Sequence, residues 1–181
     1  MKRLVGAVIL TFCFSGCLGY TIGPIKPHYL ADVHTIAVPV FKNETLIPQI
    51  DVLVTDSVIK QFQQDGTFKI GTEGNSDAVL KAEISRISRA PARSLEGNVL
   101  STTEFNLVMR VKYKLVGRDG KTIGTPNEVT GTTSFFRDME TAPNGSPGTI
   151  GGDVVMEERQ AIPLAAEELA NHLVTQLSEG W

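Results

Sequence analysis

Apolar and polar residues alternate through residues 105–115. The odd positions are all apolar: Phe105, Leu107, Met109, Val111, Tyr113 and Leu115. The even positions carry Asn106, Arg110, Lys112 and Lys114, with Val108 as the apolar exception. A period of two is typical of a β-strand with one face on the core and the other open to water or a ligand. The sequence therefore predicts such a strand here.

Three further strands are predicted. Residues 34–41, HTIAVPVF, are almost continuously apolar, which indicates a strand buried on both faces. Pro39 removes one backbone donor, so we expect one side of that strand to be unpaired there. Residues 78–90 alternate weakly, and GRDGK at 117–121 predicts a hairpin turn into a strand over residues 123–136.

Two helices are predicted from apolar residues at helical spacing. Ile50, Val54, Val58 and Phe62 recur every four residues between Pro48 and a terminating glycine. The second helix ends near residue 178, and a proline at 163 either begins its regular part or kinks an earlier turn. Residues 137–153, rich in glycine and proline, predict a long loop before it.

The resulting order is β-α-β-β-β-α. Because each helix has a single apolar stripe, both must lie on the sheet, and the polar phase of residues 105–115 leaves the other face open. The prediction is an α+β fold: a two-layer sandwich with two helices on one face of a mixed four-stranded sheet.

The first residues have the pattern of a cleaved secretory signal. Two cations, eleven apolar residues and two small residues precede Cys17, and eleven residues are too few for a membrane-spanning helix of about 20. The site resembles a bacterial lipobox, although Phe14 stands where leucine is preferred. We predict a signal peptide over residues 1–16, a lipidated N-terminus and tether over 17–33, and a single domain over 34–181. Ordinary secretion with an incidental cysteine is the alternative.

Cysteine content fits lipidation of Cys17. The other cysteine, Cys13, lies in the predicted signal, so the mature chain cannot form an intramolecular disulfide. Acylation would consume the remaining thiol, and two or more acyl chains anchor a protein stably. In enterobacteria an aspartate directly after the cysteine is the signal for retention. Leu18 stands at that position in this sequence, which favours passage to the outer membrane.

Net charge argues against nucleic acid as a partner. The formal charge is −3 and becomes −5 once Lys2 and Arg3 are removed with the signal. The charge is uneven: residues 81–121 hold nine basic and four acidic residues, whereas residues from 138 onward hold eight acidic residues and one arginine.

No motif indicates an enzyme. The sequence has no G-x-S-x-G, no phosphate-binding loop, no H-E-x-x-H and no C-x-x-C, and its three histidines are scattered. We therefore predict no catalytic residues, no metal site and no cofactor.

The segment from residue 19 to residue 70 resembles the LptE family of lipopolysaccharide-assembly lipoproteins. The resemblance rests on GY just after the cysteine, on TIAVPVFKNET and on IDVLVTDSVIKQFQQDG. It implies a non-enzymatic lipoprotein on the periplasmic face of the outer membrane. In the family such a protein is the plug and chaperone of the lipopolysaccharide-export β-barrel, LptD, and can bind lipopolysaccharide itself.

Binding anionic phosphates requires exposed cations. The candidates for a lipopolysaccharide site are Arg86, Arg89, Arg93, Arg110, Lys112 and Lys114. The alternative is that they form a solvated strand face that prevents aggregation. TIAVPVFKNET also resembles periplasmic modules that activate peptidoglycan synthases or build secretion pores, so a regulatory or structural lipoprotein adaptor is the second functional hypothesis.

Overall fold

A computed structural model describes residues 26–93, 104–136 and 154–180. Cys17 and the predicted loop at 137–153 lie outside these residues. The elements are β1 (Thr35–Ala37), β2 (Lys42–Asn43), α1 (Ile50–Asp65), β3 (Lys69–Gly71), β4 (Ala78–Arg93), β5 (Glu104–Gly117), β6 (Thr122–Phe136) and α2 (Val154–Glu179). A short 3-10 turn at His28–Leu30 precedes them.

The strands form one mixed sheet in the order β3-β1-β4-β5-β6, with β2 paired to β4. β1 runs parallel to both β3 and β4, whereas β4, β5 and β6 form an antiparallel meander. The predicted α+β class and the mixed sheet are confirmed. The predicted number of strands, four, is wrong, because the sheet has six.

The predicted strand over residues 34–41 is interrupted. Pro39 has no N–H, and the N–H of Phe41 donates to the Thr55 hydroxyl of α1 at 3.0 Å. The chain therefore leaves the sheet after Ala37 and resumes as β2. The other additional strand, β3, has only three residues, which are too few to show a period.

A bulge in β4 exchanges the two faces of the strand. The register with β5 passes from Ile84 opposite Val111 directly to Arg86 opposite Arg110, so Ser85 is an extra residue. Residue 84 is buried before the bulge, whereas Ile87 faces the core after it, opposite Met109. Since side chains alternate along a strand, one inserted residue reverses the phase of everything that follows.

Both helices lie on one face of the sheet, as predicted. α1 buries the apolar stripe that the sequence indicated, and α2 packs on β5, β6 and α1. The helices and the odd-numbered residues of β5 share one core, whose largest fully buried side chains include Phe62, Leu107, Met109, Leu169 and Leu173. In the described part of the chain, neither helix is long and apolar enough to cross a membrane.

Residues 26–33, within the predicted tether, pack on the domain where they are described. Leu30 is fully buried and Val33 nearly so. The Lys26 ammonium donates to the Val33 carbonyl at 2.8 Å and lies 4.9 Å from the centre of the Phe68 ring. The folded unit therefore includes these residues.

Candidate anion-binding face

The side of the sheet that carries no helix is called the open face here. It is built by even-numbered residues of β5 with their neighbours on β2, β4 and β6. Its charged side chains are Lys42, Lys81, Arg86, Arg110, Lys112 and Lys114, with the carboxylates Glu44, Glu83, Glu104 and Glu128. Six cations against four carboxylates leave the face positive.

The middle row of the open face neutralises itself. Register places Lys42, Glu83, Lys112 and Glu128 side by side across four strands, so that the charges alternate in sign. The Lys42 ammonium lies 3.8 Å from Glu83 and donates a short hydrogen bond to Glu44. That hydrogen bond raises the pKa of Lys42 and lowers the pKa of Glu44. Opposite charges at adjacent positions stabilise strand pairing.

Pairs of like charge flank this row. Lys81 lies directly opposite Lys114, and Arg86 lies opposite Arg110. Of these four, Arg110 has a carboxylate partner, Glu128 at 3.3 Å, while the other three form no ion pair with any residue that the structure describes. Like charges directly opposite one another destabilise a sheet. An anion between them would remove that cost.

A groove with a volume of about 570 Å³ runs over the lysine end of this face. Four lysines and two carboxylates line it, together with the proline at position 126: Lys42, Lys81, Lys112, Lys114, Glu83 and Glu128. Four residues of β5 separate Lys114 from Arg110, which places the two pairs of like charge about 13 Å apart at ~3.3 Å per residue. The two pairs are therefore separate points of positive charge on the face.

Tyr113 lies beneath the groove and is not suited to act as a base. Burial raises its pKa to about 12. Its hydroxyl donates to Gln176 of α2 at 2.8 Å, which ties β5 to the helix layer. The residue therefore supports the face from below as a neutral group.

Four of the six sequence-predicted site residues lie on the open face: Arg86, Arg110, Lys112 and Lys114. The structure places Arg89 on the helix side, opposite Leu107, where its guanidinium lies 2.6 Å from Glu158 of α2. The bulge at Ser85 separates Arg89 from the other cations. Arg93 ends β4 opposite Glu104, and its side chain lies outside the described part.

Two cations of the face, Lys42 and Lys81, were missed as site residues. Lys81 precedes the bulge and shares the polar phase of Glu83, so alternation over residues 78–84 could have found it. Lys42 belongs to a strand of two residues that carries no periodic signal.

The arrangement offers exposed charges for electrostatic binding. Among the described residues, no group of three or more histidine, cysteine, aspartate or glutamate side chains could hold a metal ion. The charged groups of the face are exposed or half-buried, and none is strongly desolvated. A lysine side chain has an apolar stem and an exposed ammonium group at its end. A row of such side chains is suited to an anion that also has an apolar part.

The family model for lipopolysaccharide assembly, LptE, matches residues 33–177. No curated protein matches the sequence. Among solved structures, a PelC dodecamer from Paraburkholderia phytofirmans is similar at 15% identity and a TM-score of 0.51, covering 84% of this chain and 94% of that one. A minor lipoprotein from Acinetobacter baumannii is similar at 15% identity and a TM-score of 0.50, covering 82% and 92%. At these identities the likeness concerns the fold.

Proposed function

The chain belongs to the LptE family of lipopolysaccharide-assembly proteins, and from that premise we propose that it binds lipopolysaccharide through the open face of its sheet. The protein would be a lipoprotein anchored through Cys17 on the periplasmic face of the outer membrane. There it would act as plug and chaperone of an LptD-like export β-barrel. The family is non-enzymatic, and we propose a binding role without catalysis for this member.

The observation that carries the proposal is the presence of two like-charged pairs in which, among the described residues, only Arg110 has a carboxylate partner, Glu128. Lys81 with Lys114, and Arg86 with Arg110, each place two cations at directly opposite positions of neighbouring strands. A phosphate between two cations gains charge-assisted hydrogen bonds from both. Since the pairs are separated along β5, the face can engage two phosphate groups of one lipopolysaccharide molecule, and the groove over the lysine stems can receive part of its apolar or saccharide body.

The test is a titration of the mature protein with purified lipopolysaccharide at several salt concentrations. The double variant Lys81→Glu/Lys114→Glu should bind about tenfold more weakly, equivalent to ~1.4 kcal/mol. Its residual binding should also depend less on salt, because fewer ion contacts remain to be screened.

The matched control is Lys60→Glu/Lys121→Glu. It changes the net charge equally at two exposed lysines whose ion pairs, with Asp56 and Asp119, lie at the surface. Its affinity should stay within about twofold of the parent protein. Equal affinity and equal salt dependence in both double variants would mean that the open face is solvated surface only.

The barrel partnership has its own measurement. The native lipidated protein, extracted in mild detergent, should co-purify with a large outer-membrane β-barrel. Recovery with a peptidoglycan synthase, or as a homo-oligomeric ring, would favour the adaptor hypothesis instead.

A further inference from the structure

The two long edges of the β4–β5–β6 meander are treated differently. Along the β6 edge, α2 supplies side chains to the strand backbone: Glu168 accepts a short hydrogen bond from the N–H of Thr132, and the Nδ1 of His172 donates to the carbonyl of Thr130 at 2.9 Å. A helix that covers an edge in this way prevents further strands from pairing there.

The β4 edge loses its neighbour halfway along. The last link on that side is the N–H of Glu44, which donates to the Ile84 carbonyl at 3.1 Å. The following loop then turns away and is fixed by the side chain of Asn43. Its Oδ1 accepts from the N–H of Thr45 at 2.8 Å, and its Nδ2 donates to the carbonyl of Ile47 at 2.9 Å. No residue that the structure describes pairs with residues 85–93 on this side.

A groove of about 530 Å³ follows this open edge. Arg86 lines it from the open face of the sheet, whereas Ile87 and Arg89 line it from the helix face. A groove that is lined by side chains from both faces of one strand must run along the edge of that strand. Leu46 forms part of its wall with a fully exposed side chain, and Ile47 lies beside it.

The charges around the groove indicate an acidic occupant. Glu44 and Glu158 also line the groove, but each is already paired, Glu44 with Lys42 and Glu158 with Arg89. Arg86 is the lining cation that forms no ion pair with any residue the structure describes, and the strand segment 85–93, SRISRAPAR, contains no acidic residue. A second copy paired edge to edge would therefore bring more arginines and no strand carboxylate to this edge, which disfavours self-association. Pro91 has no N–H, so pairing on this edge should end at Ala90.

We propose that the β4 edge over residues 85–90 accepts an extended acidic segment of another protein as an added strand. Backbone hydrogen bonds would supply the pairing, Arg86 would meet a carboxylate, and Leu46 would contact an apolar side chain of the incoming segment. This interaction does not use the lysine groove of the open face, but it shares Arg86 with the arginine pair that is proposed to bind a second phosphate.

The experiment uses the full mature chain and three synthetic ten-residue peptides. One alternates glutamate and valine, the second alternates lysine and valine, and the third is the glutamate peptide with alternate backbone nitrogens methylated. Hydrogen exchange of the amides at 85–90 and peptide affinity are measured at 150 mM salt, where charges are screened beyond about 8 Å.

The glutamate peptide should slow exchange at residues 85–90, and the lysine and methylated peptides should not. Leu46→Ser should weaken the glutamate peptide about fivefold, the effect of losing one well-placed apolar contact. Two variants serve as controls: Val52→Ser, which alters an exposed residue of α1, and the double variant Lys81→Glu/Lys114→Glu. Each should change the affinity for the glutamate peptide by less than about twofold at this salt concentration.

Three results would overturn the proposal. The first is slow exchange at residues 85–90 in the free protein. Protection that does not depend on protein concentration would mean that the chain covers its own edge, whereas protection that rises with concentration would indicate a second copy. The second is protection by the lysine peptide as strong as that by the glutamate peptide. The third is no protection by the glutamate peptide at millimolar concentration.

Discussion

A single carboxylate, Asp77, joins the beginnings of two strands. It accepts hydrogen bonds from the N–H groups of His34 and Thr35 at 3.0 and 2.9 Å and from the Thr35 hydroxyl at 2.8 Å. The Arg118 guanidinium lies 3.1 Å from its other oxygen. These contacts, led by the His34 N–H, lower the pKa of Asp77 to about 2.

Asp77 should make stability depend on pH in acid. Because its folded pKa lies below its unfolded value of about 4, its contribution is complete above pH ~4 and is lost as the pH falls toward 2. Asp77→Asn should melt several degrees lower at pH 7 and show a flatter decline of Tm between pH 4 and 2. The control Asp32→Asn alters an exposed aspartate whose side chain makes no hydrogen bond in the described structure. Parallel Tm-versus-pH curves for parent and Asp77→Asn would contradict the prediction.

The face of the sheet on which each basic side chain lies could be predicted only where the strand is regular. Alternation over β5 correctly placed Arg110, Lys112 and Lys114 on the open face. The same rule applied to β4 would group Arg86 with the core residues, because the extra residue at Ser85 reverses the phase and has no signature of its own. That one insertion brings Arg86 to the open face and sends Arg89 to the helix side.

At the level of elements, the contact between α2 and β6 depends on Gly131. A Cβ at this position would lie 2.1 Å from the Ala165 carbonyl oxygen and 2.7 Å from both the backbone nitrogen and the Cβ of Leu169. Most of these atoms are helix backbone, so no side-chain rotation can relieve the clash. The missing side chain therefore sets how closely the helix approaches the sheet.

Gly131→Ala should destabilise the fold by about 3 kcal/mol, the upper end of the range for overpacking. The reason is that α2 must move away from β6 and open the core around Leu169. Gly74→Ala is the matched control, since nothing lies within 4 Å of its added Cβ. Urea unfolding of both variants gives the measurement. Free energies of unfolding that agree within ~0.5 kcal/mol would contradict the packing argument.

Elements long enough to show a period were predictable, and elements set by single contacts were not. Helix α1 and strands β4, β5 and β6 follow from their apolar spacing. β2 and β3 do not, because they have two and three residues and depend on parallel neighbours distant in sequence. Pro163 could be read as a start or a kink; the structure shows α2 continuous from Val154 through it.

At the level of the whole molecule, the fold converts a charge gradient along the sequence into a difference between faces. The basic residues of β4 and β5 lie mainly on the open face, whereas the acidic residues of α2 lie in the helix layer on the other side of the sheet. Arg89 is the exception and pairs with Glu158 between the layers. A protein of net negative charge can therefore present one positive surface.

Anchoring and folding should be separable in this molecule. The described core begins with residues 26–33, nine or more positions after Cys17, so its packing does not depend on the proposed acyl chains. Cys17→Ala should leave the Tm of the domain unchanged and move the protein out of the outer-membrane fraction, because the ~0.8 kcal/mol contributed by each buried CH₂ of the lipid is lost. Mass spectrometry of the native protein should find the N-terminal cysteine acylated, with residues 1–16 removed. An unmodified thiol, or undiminished outer-membrane retention of Cys17→Ala, would contradict lipid anchoring while leaving the anion-binding face to be judged by its own titration.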